Sequence, residues 1–150
     1  MKKELEEVRI QALGADRLDL SVSQVSVYWH IDHLLRAIIG ICKALEDADP
    51  SAFRYRFSLS KFLVFTFQYI PRGTARAPKA TIPQDSISQE ALIDKLQKAS
   101  KLLDSVERLP SSSFFTHYIF GQLNFKDSMK MIKIHTRHHL RIIRSIKKGQ

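Results

Sequence analysis

Two histidines near the C-terminus have the spacing of a metal-ligand pair. His135 and His139 are four residues apart in a long helical pattern, so both side chains point the same way. They belong to an apolar stripe at helical spacing that consists of Ile132, His135, His139, Ile142, Ile143 and Ile146. Two buried imidazoles one turn apart need partners for their ring nitrogens and are well placed to share a metal ion. On its own the pair is more typical of satisfied core histidines, because two ligands are too few for a typical zinc site.

A second pair of histidines lies on a helix predicted from Val27 to about Asp47, with Ser26 as its N-cap. The apolar stripe of this helix consists of Val27, Ile31, Leu34, Ile38, Ile41 and Leu45. His30 and His33 lie on one flank of that stripe. A helical wheel places His30 closer to the stripe centre, but periodicity does not decide which of the two points inward.

The spacing of apolar residues and the helix caps along the rest of the chain predict an all-α protein. Helices are expected over residues 2–13, 27–47, 58–70, 86 or 88 to 109, and from 124 towards the C-terminus. No convincing strand is found, and the aromatic stretches 51–57 and 114–123 are interpreted as connectors. The aromatic side chains of the short helix over 58–70, Phe62, Phe65 and Tyr69, are expected in the core. Four substantial helices, one short helix and long connections predict one helical-bundle domain over residues 1–150.

Composition limits the classes of function. The chain has 24 basic and 15 acidic residues, hence a formal net charge of +9. Basic residues on the last helix lie largely opposite the histidine stripe: Lys130, Lys133, Arg137, Arg141, Arg144 and Lys148. This pattern indicates a solvated face, with an acidic partner as an alternative; no nucleic-acid motif accompanies it, so nucleic acid is not the expected partner.

The single cysteine, Cys42, and the lack of an apolar run of membrane length favour a cytoplasmic protein without a membrane span.

A long connection joins the third and fourth predicted helices. Residues 71–85 contain three prolines and a glycine, so this stretch cannot be a regular helix. Its basic residues Arg72, Arg76 and Lys79 are candidates for contacts with an anionic ligand. A purely structural crossover is the alternative interpretation.

Four segments resemble motifs of the DinB-like superfamily, which includes the YfiT-like metalloenzymes. They are VSVYWHIDHL at 25–34, PRGTARAPK at 71–79, THYIFGQL at 116–123 and HTRHHL at 135–140. Together they span most of the chain, and their order and spacing are more specific than any one of them. The chain departs from the family at Val25, where the motif usually opens with tryptophan.

The resemblance implies a four-helix bundle whose metal is held by His33, His135 and His139. Three neutral imidazoles suit zinc or nickel and leave an open coordination position. Characterised relatives include metal-dependent thiol transferases and an isomerase that uses a thiol cofactor. The resemblance therefore implies a metal-dependent enzyme that performs thiol transfer or hydrolysis on a small molecule, with a low-molecular-weight thiol as a possible co-substrate and a homodimer as the assembly.

The sequence does not identify a general base. No glutamate follows His135 as it does in His-Glu-x-x-His proteases. His30, Asp32, His117 and His138 are candidates for a base, or for groups that hold the metal ligands in place. Two other classes of function stay open: a non-catalytic metal-binding or stress-related bundle, and a binder of acidic partners or nucleic acid through the basic C-terminal face.

Overall fold

The computed structural model describes residues 1–73, 77–83 and 86–149, and this part of the chain is mostly helical. Its α-helices are α1 (Lys2–Ala12), α2 (Val27–Asp47), α3 (Leu59–Phe67), α4 (Gln89–Val106) and α5 (Phe125–Lys148). Two short 3-10 turns occur at Pro50–Ala52 and Lys79–Thr81. The predicted helices are therefore present, within a few residues at each end. None of the helices in the described part is long and apolar enough to cross a membrane.

The helix starts are fixed by the caps that the sequence predicts. The Ser26 hydroxyl accepts a hydrogen bond from the backbone N–H of Trp29 at the start of α2. The Asn124 side chain accepts one from the N–H of Asp127 at the start of α5. Each side chain satisfies an N–H that has no partner within the helix, so the two histidine-bearing helices begin at defined positions.

A two-stranded hairpin corrects the all-α prediction. Strands β1 (Phe114–His117) and β2 (Gly121–Asn124) pair in an antiparallel manner, with Phe114 opposite Asn124 and His117 opposite Gly121. Gly121 adopts a φ of +72°, a conformation that glycine tolerates best, where the chain enters the second strand. Strands of four residues are too short for an alternating pattern to be recognised, so the sequence alone indicates only a connector.

The main core lies among α1, α2, α4 and α5, each of which contributes buried apolar side chains to a single cluster. Every member of the predicted α2 stripe is buried, and so are the isoleucines of the α5 stripe. Asp32 lies on α2 with only 2% of its surface exposed and forms ion pairs with Arg36 and with Lys95 of α4. The ion pair with Lys95 ties α2 to α4.

Helix α3 lies outside that core and packs against α5 through a smaller cluster. Phe65 is buried there, in edge-to-face contact with Phe120 of the hairpin region. The prediction that Phe62 and Tyr69 also pack in the core is wrong, because these side chains are 54% and 47% exposed. A very apolar short helix has too little periodicity to reveal that only one of its sides is covered.

Candidate metal centre

All six histidines of the chain line a single cavity of about 540 Å³. They are His30 and His33 on α2, His117 in the hairpin, and His135, His138 and His139 on α5. The cavity lies between these two helices, the hairpin and the connection that follows α3. Histidines spread over more than a hundred residues of sequence are thus gathered in one place.

Three of these imidazoles can meet at one point. His33, His135 and His139 each offer one ring nitrogen, and the three nitrogens lie within 4.8 Å of one another. The Nε2 atoms of His135 and His139 are 3.2 Å apart. Two nitrogens bound to one tetrahedral zinc ion at ordinary Zn–N lengths are about 3.3 Å apart. The donor set therefore fits a divalent metal.

His33 is held in the orientation that a ligand needs. Its Nδ1 lies 3.0 Å from the backbone carbonyl of Thr81, and because a carbonyl only accepts, Nδ1 carries the proton and donates it. Nε2 is then left with a lone pair for a metal. One face of the His33 ring is covered by the indole ring of Trp29, and the two ring planes are nearly parallel. Hydrogen bonds of this kind orient metal ligands and make them more basic.

His139 is held by a chain of side chains that sequence analysis does not reveal. Its Nδ1 lies 3.0 Å from Nδ1 of His30, and Nε2 of His30 lies 2.9 Å from the hydroxyl of Ser23. When His139 donates from Nδ1, His30 accepts and in turn donates from Nε2 to Ser23. This tautomer leaves the lone pair of His139 Nε2 directed towards His135. His30 thus contacts the candidate ligand His139 and lies outside the group of three nitrogens.

The buried environment keeps the histidines neutral. Burial lowers the pKa of His30 to about 4 and that of His135 to about 3. Burial likewise brings the pKa of His139 well below its ordinary value of 6.5. The pKa of His33 is also lowered by burial, although its hydrogen bond to the Thr81 carbonyl opposes this shift. Because only the neutral imidazole binds a metal, protons do not compete for these ligands near neutral pH.

Two more imidazoles reach the cavity without joining this cluster. His138 donates from Nδ1 to the backbone carbonyl of Ile70 over 3.0 Å, so its Nε2 has a free lone pair. His117 has the opposite arrangement, because its Nδ1 accepts hydrogen bonds from the backbone N–H groups of Ile119 and Phe120. Besides the three candidate ligands, the cavity therefore contains a hydrogen-bond acceptor of fixed direction, Nε2 of His138, and a hydrogen-bond donor of fixed direction, Nε2–H of His117.

Of the charged residues that the sequence suggests for the site, those in the described part of the chain do not line the cavity. Asp32 faces α4 and not the cavity, in the ion pairs described above. Arg72 donates to the hydroxyl of Ser145 over 3.2 Å, Lys79 is exposed, and neither lines the cavity. Arg76 lies outside the described residues. The described part of the connection thus contributes backbone carbonyls, from Ile70 and Thr81, to the site.

The basic face of α5 is largely engaged with α1. Arg137 pairs with Glu4 over 2.8 Å, and Arg144 pairs with Glu7 over 2.5 Å. The guanidinium of Arg141 lies over the ring of Tyr69, 4.9 Å from its centroid. Part of the predicted solvated face thus pairs with other helices, while the side chains of Arg137 and Arg144 stay about half exposed.

Comparisons with protein-family models, with curated proteins and with solved structures find no match to this chain. The chemistry of the site is therefore inferred from its own groups. Three neutral ring nitrogens that could each bind a metal converge on one wall of an apolar cavity. Hydrogen bonds fix the orientation of at least two of these rings.

Proposed function

We propose that this protein is a metal-dependent enzyme that acts on a small molecule by hydrolysis or thiol transfer. In this proposal His33, His135 and His139 hold a zinc or nickel ion at the wall of the cavity. The observation that carries the proposal is the convergence of three neutral ligand nitrogens on a cavity large enough for a substrate. Three protein ligands are typical of catalytic zinc sites, whereas structural zinc sites usually have four.

A divalent metal at this position supplies Lewis acidity, which lowers the pKa of a water or thiol and polarises a carbonyl group. The protein's own groups perform the other tasks. Thr81 and His30 hold two of the ligand imidazoles by hydrogen bonds to the ring nitrogens that face away from the cluster. The walls are mainly apolar, and electrostatic interactions are stronger in such surroundings than in bulk water.

His138 is the best placed proton acceptor. Its ring is in edge-to-face contact with His139, with centroids 5.1 Å apart, and Nε2 has a lone pair because Nδ1 donates to Ile70. In this proposal His138 takes a proton from the attacking water or thiol. Asp32 is too firmly paired with Arg36 and Lys95 to share this role.

The thiol for a transfer reaction must come from a second substrate. Cys42 is the only cysteine, it is buried, and burial raises the pKa of its thiol to about 12. A thiol in such surroundings is a poor nucleophile near neutral pH. A low-molecular-weight thiol is therefore the co-substrate in the thiol-transfer version of the proposal.

The resemblance to the DinB-like superfamily supports the same function. Four helices share one core, and the ligands come from the second helix and, as an i, i+4 pair, from the last. This is the arrangement that the resemblance implies, so we infer that the four helices form a bundle of that type. The homodimer stays a prediction of the sequence.

The proposal is tested with zinc-loaded protein on a panel of neutral esters, and on an aryl halide with cysteine or glutathione. We expect turnover of at least one substrate class, its loss on chelation, and a decrease of at least a hundredfold in His135→Ala. Lys79→Ala is the matched control, because Lys79 is exposed and does not line the cavity. Turnover that resists both the chelator and His135→Ala would overturn the proposal. Zinc binding without turnover on either panel would contradict its catalytic half and favour a metal-binding protein.

A further inference from the structure

The cavity is uncharged over the part of the chain that the structure describes. No aspartate, glutamate, lysine or arginine among the described residues lines it. Its walls are mainly apolar and include Trp29, Ile41, Ile70, Phe115, Ile119 and Ile142. The polar side chains that line it are chiefly the imidazoles. A ligand inside therefore meets apolar surface with a few hydrogen-bonding atoms.

This composition selects against charged molecules. A carboxylate or an ammonium group loses its hydration on entering, and no opposite charge on the described walls compensates for that loss. The volume of about 540 Å³ is within the range of sites that bind small organic molecules. No lysine or arginine among the described residues lines the cavity, and the candidate metal would add a positive charge at one wall.

His117 provides one hydrogen-bond donor of fixed direction in this cavity. Its Nδ1 accepts from the backbone N–H groups of Ile119 and Phe120, over 3.1 and 3.3 Å. A nitrogen that accepts cannot carry a proton, so in the neutral ring the proton is on Nε2. The ring is stacked on Phe120 with centroids 4.4 Å apart and on Tyr118 with centroids 4.8 Å apart. Among the described residues none accepts a hydrogen bond from Nε2, so none of them competes with a ligand for this donor.

We propose that the cavity binds a neutral, mostly apolar carbonyl compound whose oxygen accepts a hydrogen bond from Nε2–H of His117. The inference rests on the proposed function for the reaction itself and adds the class of substrate. An ester or a ketone of this kind fits both the uncharged walls and the single donor. Hydrogen-bond donors fixed in an apolar site are also the usual means of stabilising a carbonyl oxygen as it gains negative charge. His117 is thus assigned as a substrate-binding residue.

The chain contains its own probe for this binding. Trp29 is the only tryptophan and lines the cavity, so its emission reports on occupancy. Acetophenone, a neutral aryl ketone, is titrated into chelator-treated protein while Trp29 emission is followed. α-Methylstyrene has nearly the same shape with =CH₂ in place of the oxygen, and benzoate carries a negative charge. Their affinities are measured by competition with acetophenone.

We expect saturable quenching by acetophenone and at least tenfold weaker binding of benzoate. His117→Phe keeps the stacked ring and deletes the donor, so it lowers the affinity for acetophenone about fivefold, the effect of one neutral hydrogen bond, and leaves α-methylstyrene within twofold. His117→Gln, whose amide can accept from the turn and donate to the ligand, restores part of the loss. Benzoate binding as tight as that of acetophenone, an equal loss for both neutral probes, or no saturable quenching would each overturn the proposal.

The absence of metal from this titration separates the two proposals. Without metal, benzoate cannot be held by coordination, and the result depends only on the walls and on His117. Failure to bind zinc would contradict the proposed metalloenzyme and leave the ketone result standing. Normal zinc binding with no selectivity for the neutral ketone would contradict only the inference about the substrate.

Discussion

Trp29 stacks face to face on His33, with ring centroids 5.1 Å apart and an angle of 11° between the ring planes. The two residues are four positions apart on α2, so one face of the helix presents both. The stacking fixes the imidazole ring from one side while Thr81 fixes its Nδ1. The only tryptophan of the chain is therefore in contact with a candidate metal ligand.

This contact makes Trp29 a sensor of the metal. Nickel is a paramagnetic ion that quenches a nearby indole, so we expect nickel to quench Trp29 emission and to saturate at about one equivalent per chain. A fluorescence titration of untagged, metal-free protein measures this. His33→Ala is expected to abolish the saturable phase. His117→Phe is the control and should retain it, because His117 is not in the ligand set. Quenching that is unchanged in His33→Ala would show that nickel binds elsewhere.

His30 is expected to tune metal affinity without binding the metal. When His139 binds the metal through Nε2, its Nδ1 carries the proton and donates it to His30; loss of such a partner typically lowers metal affinity about 10- to 100-fold. His30→Phe should produce a decrease of this size, and His30→Asn, whose side-chain oxygen can take the place of Nδ1, should recover part of it. Competition with a chromophoric zinc chelator gives the affinities.

His138→Phe is the matched control for this series. His138 also lines the cavity, but it donates to the Ile70 carbonyl and not to a ligand. Zinc affinity in this variant should stay within a few-fold of that of the wild type. An equal decrease in His138→Phe and His30→Phe would indicate a general effect of filling the cavity and would refute the specific role of His30.

Asp32 is expected to matter for stability and not for the metal. Its carboxylate is buried between Lys95 and Arg36, while both of these cations retain contact with solvent. Asp32→Asn should therefore lower the free energy of unfolding by about 2 kcal/mol, less than the cost of leaving a fully buried charge unpaired. Urea unfolding measures the change. Zinc stoichiometry and affinity should be unaltered, and loss of zinc binding in folded Asp32→Asn would contradict the placement of this residue.

The metal-free protein should lose stability as the pH falls from about 6.5 to 4. Burial lowers the pKa of His117 to about 4, whereas in the unfolded chain histidine titrates near 6.5. Between these values the unfolded state binds the extra proton, so falling pH favours unfolding. His117→Phe removes this contribution and should make the decline shallower over that range. Thermal unfolding at a series of pH values provides the test, and parallel curves for the two proteins would contradict the lowered pKa.

The helices that carry the site could be predicted because their signals are local. The stripe of α2, the stripe of α5 and the caps Ser26 and Asn124 are visible as spacing and residue type. The pair His135 and His139 follows from the same periodicity. His33 is implied by resemblance alone, since a helical wheel slightly favours His30. In the structure both are buried, His33 beside the other candidate ligands and His30 behind His139.

The remainder of the site depends on tertiary contacts that no short window of sequence contains. Thr81 contributes a backbone carbonyl, which any residue type would offer, so its identity gives no signal. Ser23 reaches His30 from an irregular segment. The role of His117 depends on a tight turn between two strands that are too short to be recognised. These contacts depend on how distant segments pack, which periodicity does not encode.

Zinc stoichiometry is the measurement that decides between this interpretation and a cluster of ordinary buried histidines. Untagged protein, purified without metal-affinity resin and treated with chelator, is titrated with zinc by calorimetry beside His135→Ala and the exposed-site control Lys79→Ala. We expect one zinc ion per chain in the wild type and in Lys79→Ala, and loss of that binding in His135→Ala with the helical content retained. An absence of stoichiometric binding in the folded wild type, or binding that survives in His135→Ala with unchanged affinity, would contradict a metal site formed by His33, His135 and His139.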